Sequence, residues 1–259
     1  MRDEILKDVN QIRNAAEQGD MTAEFELGIS LLYGNGVTQN DEAAVQWLKK
    51  AAEQGHVKAQ YELATCFRDG IGVEVNYEEA VVWFKKAAEQ GSTDAQYELG
   101  ICFRNGDGVE ADEEEAVQWF KKAAEQGDEF AQYELATCFR DGIGVAANDG
   151  EAVKWFKKAA KRGDEFAQCA LGLCYLKGRG VKQNEEKAVK WFKKAAKQGL
   201  AAAQFNLGVC LLDNLRIVND KAEGLKWLRK SARQGEGKAR DMLEKYFNDH
   251  DPAIKLKKE

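Results

Sequence analysis

The chain has 259 residues, 32% of them charged, and 44 acidic against 38 basic side chains leave a formal charge of −6. The two signs are interleaved, which excludes the broad basic face that nucleic acid requires. Alanine, glutamate and lysine abound and the only proline is Pro252, so the composition favours helix over sheet.

The stretch Met1 to Asn10 is rich in charge and holds no long apolar run, so it reads as neither a secretory signal nor a membrane span. A cytoplasmic protein with no membrane partner is the expectation. Residues 1–19 read as an isolated second helix of a hairpin, with Gln11 where later copies carry tryptophan, and thus as an N-terminal cap. From there glycine recurs at Gly19, Gly55, Gly91, Gly127, Gly163, Gly199 and Gly235, every step being 36 residues. Tryptophan keeps the same step from Trp47 to Trp227, and leucine from Leu27 to Leu243. A fixed period of this length predicts a repeat array, so residues 20–235 are read as six repeats in one continuous domain.

In the type unit, Val57 to Ser92, the residues Ala59, Leu63, Ala64 and Phe67 fall at helical spacing and define helix A. Gly70 and Gly72 end it, glycine being the residue that most readily takes positive φ. Asn76 then predicts an N-cap for helix B, and Asn40, Asp112, Asn148, Asn184 and Asp220 repeat it. Helix B turns Ala80, Trp83, Phe84, Ala87 and Ala88 inward, leaves Lys85 and Lys86 toward water, and stops at Gly91. After the sixth unit, residues 236–248 read as a lone helix A that caps the C-terminal end, and 249–259 as a short polar tail.

Little in the sequence points to chemistry. Cys66, Cys102, Cys138, Cys174 and Cys210 share one repeat position, with Ser30 in the first unit, and Cys169 stands apart. Equivalent positions in successive repeats should lie beyond the roughly 7 Å Cα limit for a disulfide. These cysteines therefore read as small buried hydrophobes in a reducing compartment. His56 and His250 are the only histidines, too few for a histidine metal site or a nucleophile–base pair. Glu113, Glu114 and Glu115 read as a solvated first turn favoured by the helix dipole. No catalytic residue, metal site or cofactor is expected.

The unit A-Q-Y-E-L-A/G-x-C-F-x-x-G-x-G-V, followed by N/D-x-x-E-A-V-x-W-F-K-K-A-A-E-Q-G, resembles the Sel-one-like repeat family, related to the tetratricopeptide repeats. The likeness covers nearly the whole chain. Departures are Asn214 to Ile217 in place of G-x-G-V and Gly224 in place of a helix-B alanine. The resemblance implies an all-α, right-handed α-α superhelix of 36-residue helix-turn-helix repeats, with the A helices lining a concave surface. It implies adaptor or scaffold work without an active site. By analogy with tetratricopeptide helices, Lys58, Tyr61, Thr65, Arg68 and Asp69 face the concave side in the type unit. Along the array this gives an aromatic ladder of Phe25, Tyr61, Tyr97, Tyr133, Cys169 and Phe205. A second ladder runs Leu32, Arg68, Arg104, Arg140, Leu176 and Leu212. Arginines and tyrosines in the middle would favour an extended or acidic protein or peptide partner, while Ile29, Tyr33, Leu173 and Val209 add apolar character toward the ends. The alternative for the tyrosines is packing between adjacent A helices, and for the arginines pairing with Asp69, Asn105, Asp141 or with Glu62, Glu98 and Glu134.

The reading that follows is a monomeric, non-catalytic scaffold for a protein or peptide. Three others stay open: a regulatory or immunity partner of an effector protein, a cell-wall hydrolase of the β-lactamase-like kind, and an idealised repeat protein with no partner. Against the hydrolase, no S-x-x-K occurs, since Ser30, Ser92 and Ser231 precede Tyr33, Ala95 and Gln234 at that spacing. Against the idealised protein stands the drift at Asn214 to Val218.

Overall fold

The computed structural model describes residues 2–212 and 220–250, with side chains for 10–212 and 220–248. The altered sixth-unit loop, Asn214 to Ile217, and the tail beyond residue 250 lie outside the described residues. Glycine and N-cap signals alternate along the chain, and the helices obey them: α1 (Arg2–Glu17), α2 (Met21–Tyr33), α3 (Asp41–Glu53), α4 (Val57–Asp69), α5 (Tyr77–Glu89), α6 (Thr93–Asn105), α7 (Glu113–Gln126), α8 (Glu129–Asp141), α9 (Asp149–Arg162), α10 (Glu165–Lys177), α11 (Glu185–Gln198), α12 (Ala201–Leu212), α13 (Lys221–Arg233) and α14 (Gly237–His250). Even-numbered helices are the A helices and odd-numbered the B helices. No strand occurs among the described residues.

Two compact units divide the chain within α8, Met1–Ala131 and Gln132–Glu259. In the first, each of α1 to α7 packs on its neighbours in the chain, and in the second α9 to α14 do the same. This sequential packing of hairpins is that of an all-α repeat solenoid.

Each hairpin is closed by the predicted residues. Gly70, at φ 72°, ends α4 with its N–H on the Cys66 carbonyl, and the Asn76 N–H returns 2.8 Å to the Phe67 carbonyl. The Asn76 side chain then caps α5 by accepting from the Glu79 N–H, and Asn40, Asp112, Asn148, Asn184 and Asp220 do likewise. The A helices are capped too, by Asp20, His56, Ser92, Asp128 and Asp164. The second loop glycine has a different task. Gly108 lies against the start of the preceding B helix, where a Cβ would meet the Tyr77 carbonyl oxygen at 2.2 Å.

Phe84 and Phe120 in the first unit, and Phe156 and Phe192 in the second, are fully buried beside the leucines at 63, 99, 135 and 171. They are the largest of the fully buried side chains, and withdrawal of such apolar surface from water is the main driving force for stacking. Trp83 and Trp119 are buried at the hairpin edges, and here the structure refines the sequence reading: the Lys86 and Lys122 ammonium groups, exposed to water, sit 3.6 and 3.5 Å from the ring centroids. The second lysine of each W-F-K-K run is thus a cation–π lid.

A buried polar chain joins the repeats. Gln60, Gln96, Gln168 and Gln204 each donate through Nε2 to a carbonyl at the end of the preceding B helix, at 3.1 to 3.2 Å. Their Oε1 atoms accept from Gln90, Gln126, Gln198 and Gln234, the glutamines of the closing Q-G, at 2.7, 2.8, 3.1 and 2.9 Å. Glu24 holds the equivalent place in the first repeat, buried and accepting from Gln54 at 2.6 Å. An amide sealed between helices in this way satisfies groups whose burial would otherwise be costly. All six cysteines are buried as thiols. Burial pushes the Cys66 and Cys102 thiols up to about 12 and about 11.

Candidate binding faces

The ladder residues lie on the A helices, and their surroundings differ from one repeat to the next. Tyr61, Tyr97 and Tyr133 are half-buried and tilt against Phe84, Phe120 and Phe156 at centroid distances of 5.8, 6.1 and 5.8 Å. Their rings belong partly to the packing between helices, and burial raises the Tyr61 and Tyr133 hydroxyls above the usual phenol range. Phe25 is half-buried and stacks on His56 at 4.4 Å; Phe205 is half-buried; Cys169 is buried. On the second ladder Leu32 is in the core at 7% exposure, whereas Leu176 and Leu212 are half-buried. Tyr33, at 62%, is the exposed member of the apolar set expected toward the ends.

Arg68, Arg104 and Arg140 lie half-buried with guanidinium carbons 5.9, 5.7 and 5.8 Å from the Phe84, Phe120 and Phe156 centroids. Their ion pairs set them apart. Arg68 donates through Nε and Nη2 to both Asp69 oxygens and through Nη1 to Glu98 at 2.9 Å. Asp69 and then Glu98 hold the Arg68 guanidinium above its usual range, and in return the Asp69 carboxyl is held low. Arg140 makes the same bidentate pair with Asp141, at 2.7 and 2.6 Å, but thirty residues on, where Glu98 stands relative to Arg68, the chain has Ala170.

The sequence reading passed over two exposed phenylalanines. Phe130 is 56% exposed and lies 6.1 Å from Tyr97 in the first unit; Phe166 is 49% exposed and lies 6.0 Å from Tyr133 in the second. Both occupy the repeat position of Thr22, Lys58, Asp94 and Ala202. Comparing that column across repeats reveals the apolar break, since four copies show that the fold does not require an aromatic there. Each unit therefore carries a tyrosine–phenylalanine pair on its A-helix surface. Aromatic groups of this kind supply large contact area at small entropic cost.

His56 is engaged in capping α4, its Nδ1 accepting from the Ala59 N–H at 3.1 Å, so the ring is neutral at that nitrogen. Among the described residues no group of histidine, cysteine and carboxylate side chains is arranged to hold a metal ion. No helix there is long and apolar enough to cross a membrane.

Stacked helical hairpins with aromatic and ionic side chains on the A helices define an α-helical repeat protein. Six copies of the Sel1 repeat model match, at residues 22–56, 57–92, 93–128, 130–164, 166–200 and 201–236. The chain belongs to the Sel1 repeat family, whose members are generally protein-interaction scaffolds and typically non-catalytic. It is similar to a protective antigen present in uropathogenic Escherichia coli strains, which displays an SLR fold: 38% identity, TM-score 0.89, covering 95% of this chain and 52% of that one. The chain thus spans about half the length of that relative. A Sel1 repeat protein from Oxalobacter formigenes is 35% identical with a TM-score of 0.72, over 83% of this chain and 86% of that one. No curated protein matches it.

Proposed function

We propose that this protein is a non-catalytic scaffold that holds a protein or peptide against the exposed surface of its A helices. The observation that carries the reading is the pair of solvent-exposed phenylalanines, Phe130 beside Tyr97 and Phe166 beside Tyr133. Neither is needed to fill a core, and exposed aromatics set among polar neighbours are characteristic of recognition surfaces. The half-buried arginines of the A helices supply fixed charge for orientation. A monomer acting in the cytoplasm is part of this proposal, as is the lack of an enzymatic role, which the engagement of His56 as a helix cap supports.

The test is capture of partners from the native lysate by wild type and by Phe130→Ser and Phe166→Ser, read by mass spectrometry after circular dichroism has established equal helicity. A partner retained by wild type and lost from either variant is the expected result. An identical partner set for all three proteins would remove the A-helix aromatics from recognition.

A further inference from the structure

The fifth repeat departs from its neighbours at three positions that converge on one cleft in the second unit. Ala170 stands where Glu62, Glu98 and Glu134 stand in earlier repeats; Lys177 stands where Asp69, Asn105 and Asp141 do; Arg179 replaces Ile71, Asp107 and Ile143. At these three positions the fifth repeat therefore loses two carboxylates and gains two cations. Arg140, Lys177 and Arg179 line a cleft of about 170 Å³ whose remaining wall is Ala170, Leu173 and Cys174. Arg179 is held there by a two-point pair with Asp149, at 3.0 and 3.3 Å, made possible by the neighbouring Gly180, which seats its loop on the start of α9. Asp141 and Asp149 offset two of the three cations, which leaves the cleft with one net positive charge and an apolar floor.

The first unit shows what this position accepts. Glu98 reaches the Arg68 Nη1 at 2.9 Å while Asp69 occupies the other edge of the same guanidinium. Arg140 keeps the aspartate and lacks the glutamate, so its corresponding edge faces the cleft that the shortening of residue 170 to alanine has opened.

We propose that this cleft binds the carboxylate of an acidic side chain on a protein partner, the guest taking the place that Glu98 holds in the second and third repeats. Its methylene groups lie on Ala170 and Leu173, and its oxygens accept from Arg140 with Lys177 and Arg179 alongside, the charge-assisted geometry in which arginine exceeds other donors. The proposal rests on the scaffold reading above and adds the chemistry of the guest.

The test follows the arginine Nε–Hε signals of the full chain by NMR while N-acetyl-leucyl-glutamate amide is added, with N-acetyl-leucyl-glutamine amide as the uncharged control. The Arg140 and Arg179 signals are expected to shift saturably with the glutamate peptide, Arg68 to stay still, and the glutamine peptide to bind roughly tenfold more weakly. Ala170→Glu restores the in-chain carboxylate and should abolish the response; Lys177→Asp, on an exposed position, should weaken it without touching the core. Equal responses of Arg68 and Arg140, equal binding of the two peptides, or no response to either would each overturn the proposal. A silent titration beside partner capture that depends on Phe130 or Phe166 would remove this cleft and leave the scaffold standing; a glutamate-specific response with no captured partner would do the reverse.

Discussion

His56 joins three roles in one ring: it caps α4 through Nδ1, stacks on Phe25, and carries the first repeat's aromatic side into the second. Burial, with Lys58 nearby, lowers its affinity for protons below the ordinary value of 6.5. Between the lowered value and 6.5 the unfolded chain binds more protons than the folded one, so stability rises with pH across that window. The contribution of the cap is whole above pH 6.5 and is lost as pH falls through the lowered value. Thermal melts at about pH 8 and about pH 5 should show wild type losing more stability on acidification than His56→Ser, because Ser92 fills the same role one repeat later without titrating. Equal losses would assign the acid sensitivity elsewhere. Gln96 offers a second residue-scale test. Replacing it by leucine removes a donor to the Ala88 carbonyl and an acceptor for Gln126, and should cost about 1–3 kcal/mol in urea unfolding despite the gain in apolar surface. A variant as stable as wild type would show the amide chain to be dispensable.

At the scale of the element, the two kinds of glycine part company. Gly91 takes φ 92° with open space around its α-carbon, whereas Gly108 takes φ 71° with the Tyr77 backbone in the path of a Cβ. Gly91→Ala should cost only the left-handed backbone preference, about 1–2 kcal/mol. Gly108→Ala adds displacement of one hairpin from the next, and roughly 2–4 kcal/mol is expected. The comparison is read from paired urea transitions, and equal losses would mean that the loop yields without disturbing α5. Both glycines were legible as helix stops, but their unequal cost was not, because the Tyr77 carbonyl belongs to the preceding repeat and periodicity carries no distances.

Over the whole molecule, nearest-neighbour packing means that the ends open before the middle. The last hairpin is weakest by composition: Gly224 occupies a helix interior where other repeats have alanine, at a cost near 1 kcal/mol. Cysteine accessibility reports this directly, since the thiols are buried and in the native state poorly ionised at Cys66 and Cys102. With rising denaturant, maleimide should label Cys210 before Cys102, and simultaneous labelling would indicate a single cooperative unit. The hairpins, caps and buried thiols were readable from the 36-residue period because each depends on contacts within one repeat or on composition. Gln60 and Gln90 are both visible as periodic polar residues, but nothing in their spacing says that they touch. Ala170 was equally visible as a gap in the glutamate series; its meaning needed the observed pairing of Arg68 with Glu98.

The glutamine chain has a consequence for how such a gene can change its length. Each amide accepts from the glutamine thirty positions downstream in its own hairpin and donates to a carbonyl eight positions upstream in the preceding one, so a deletion or duplication of any span other than a whole 36-residue block strands a donor and an acceptor in the interior. A whole block leaves every junction chemically identical to the one before it. Misaligned recombination between near-identical stretches, such as Tyr61 to Val73 and Tyr133 to Val145, would then yield longer or shorter chains that still fold, each carrying a different number of faces for partners to meet.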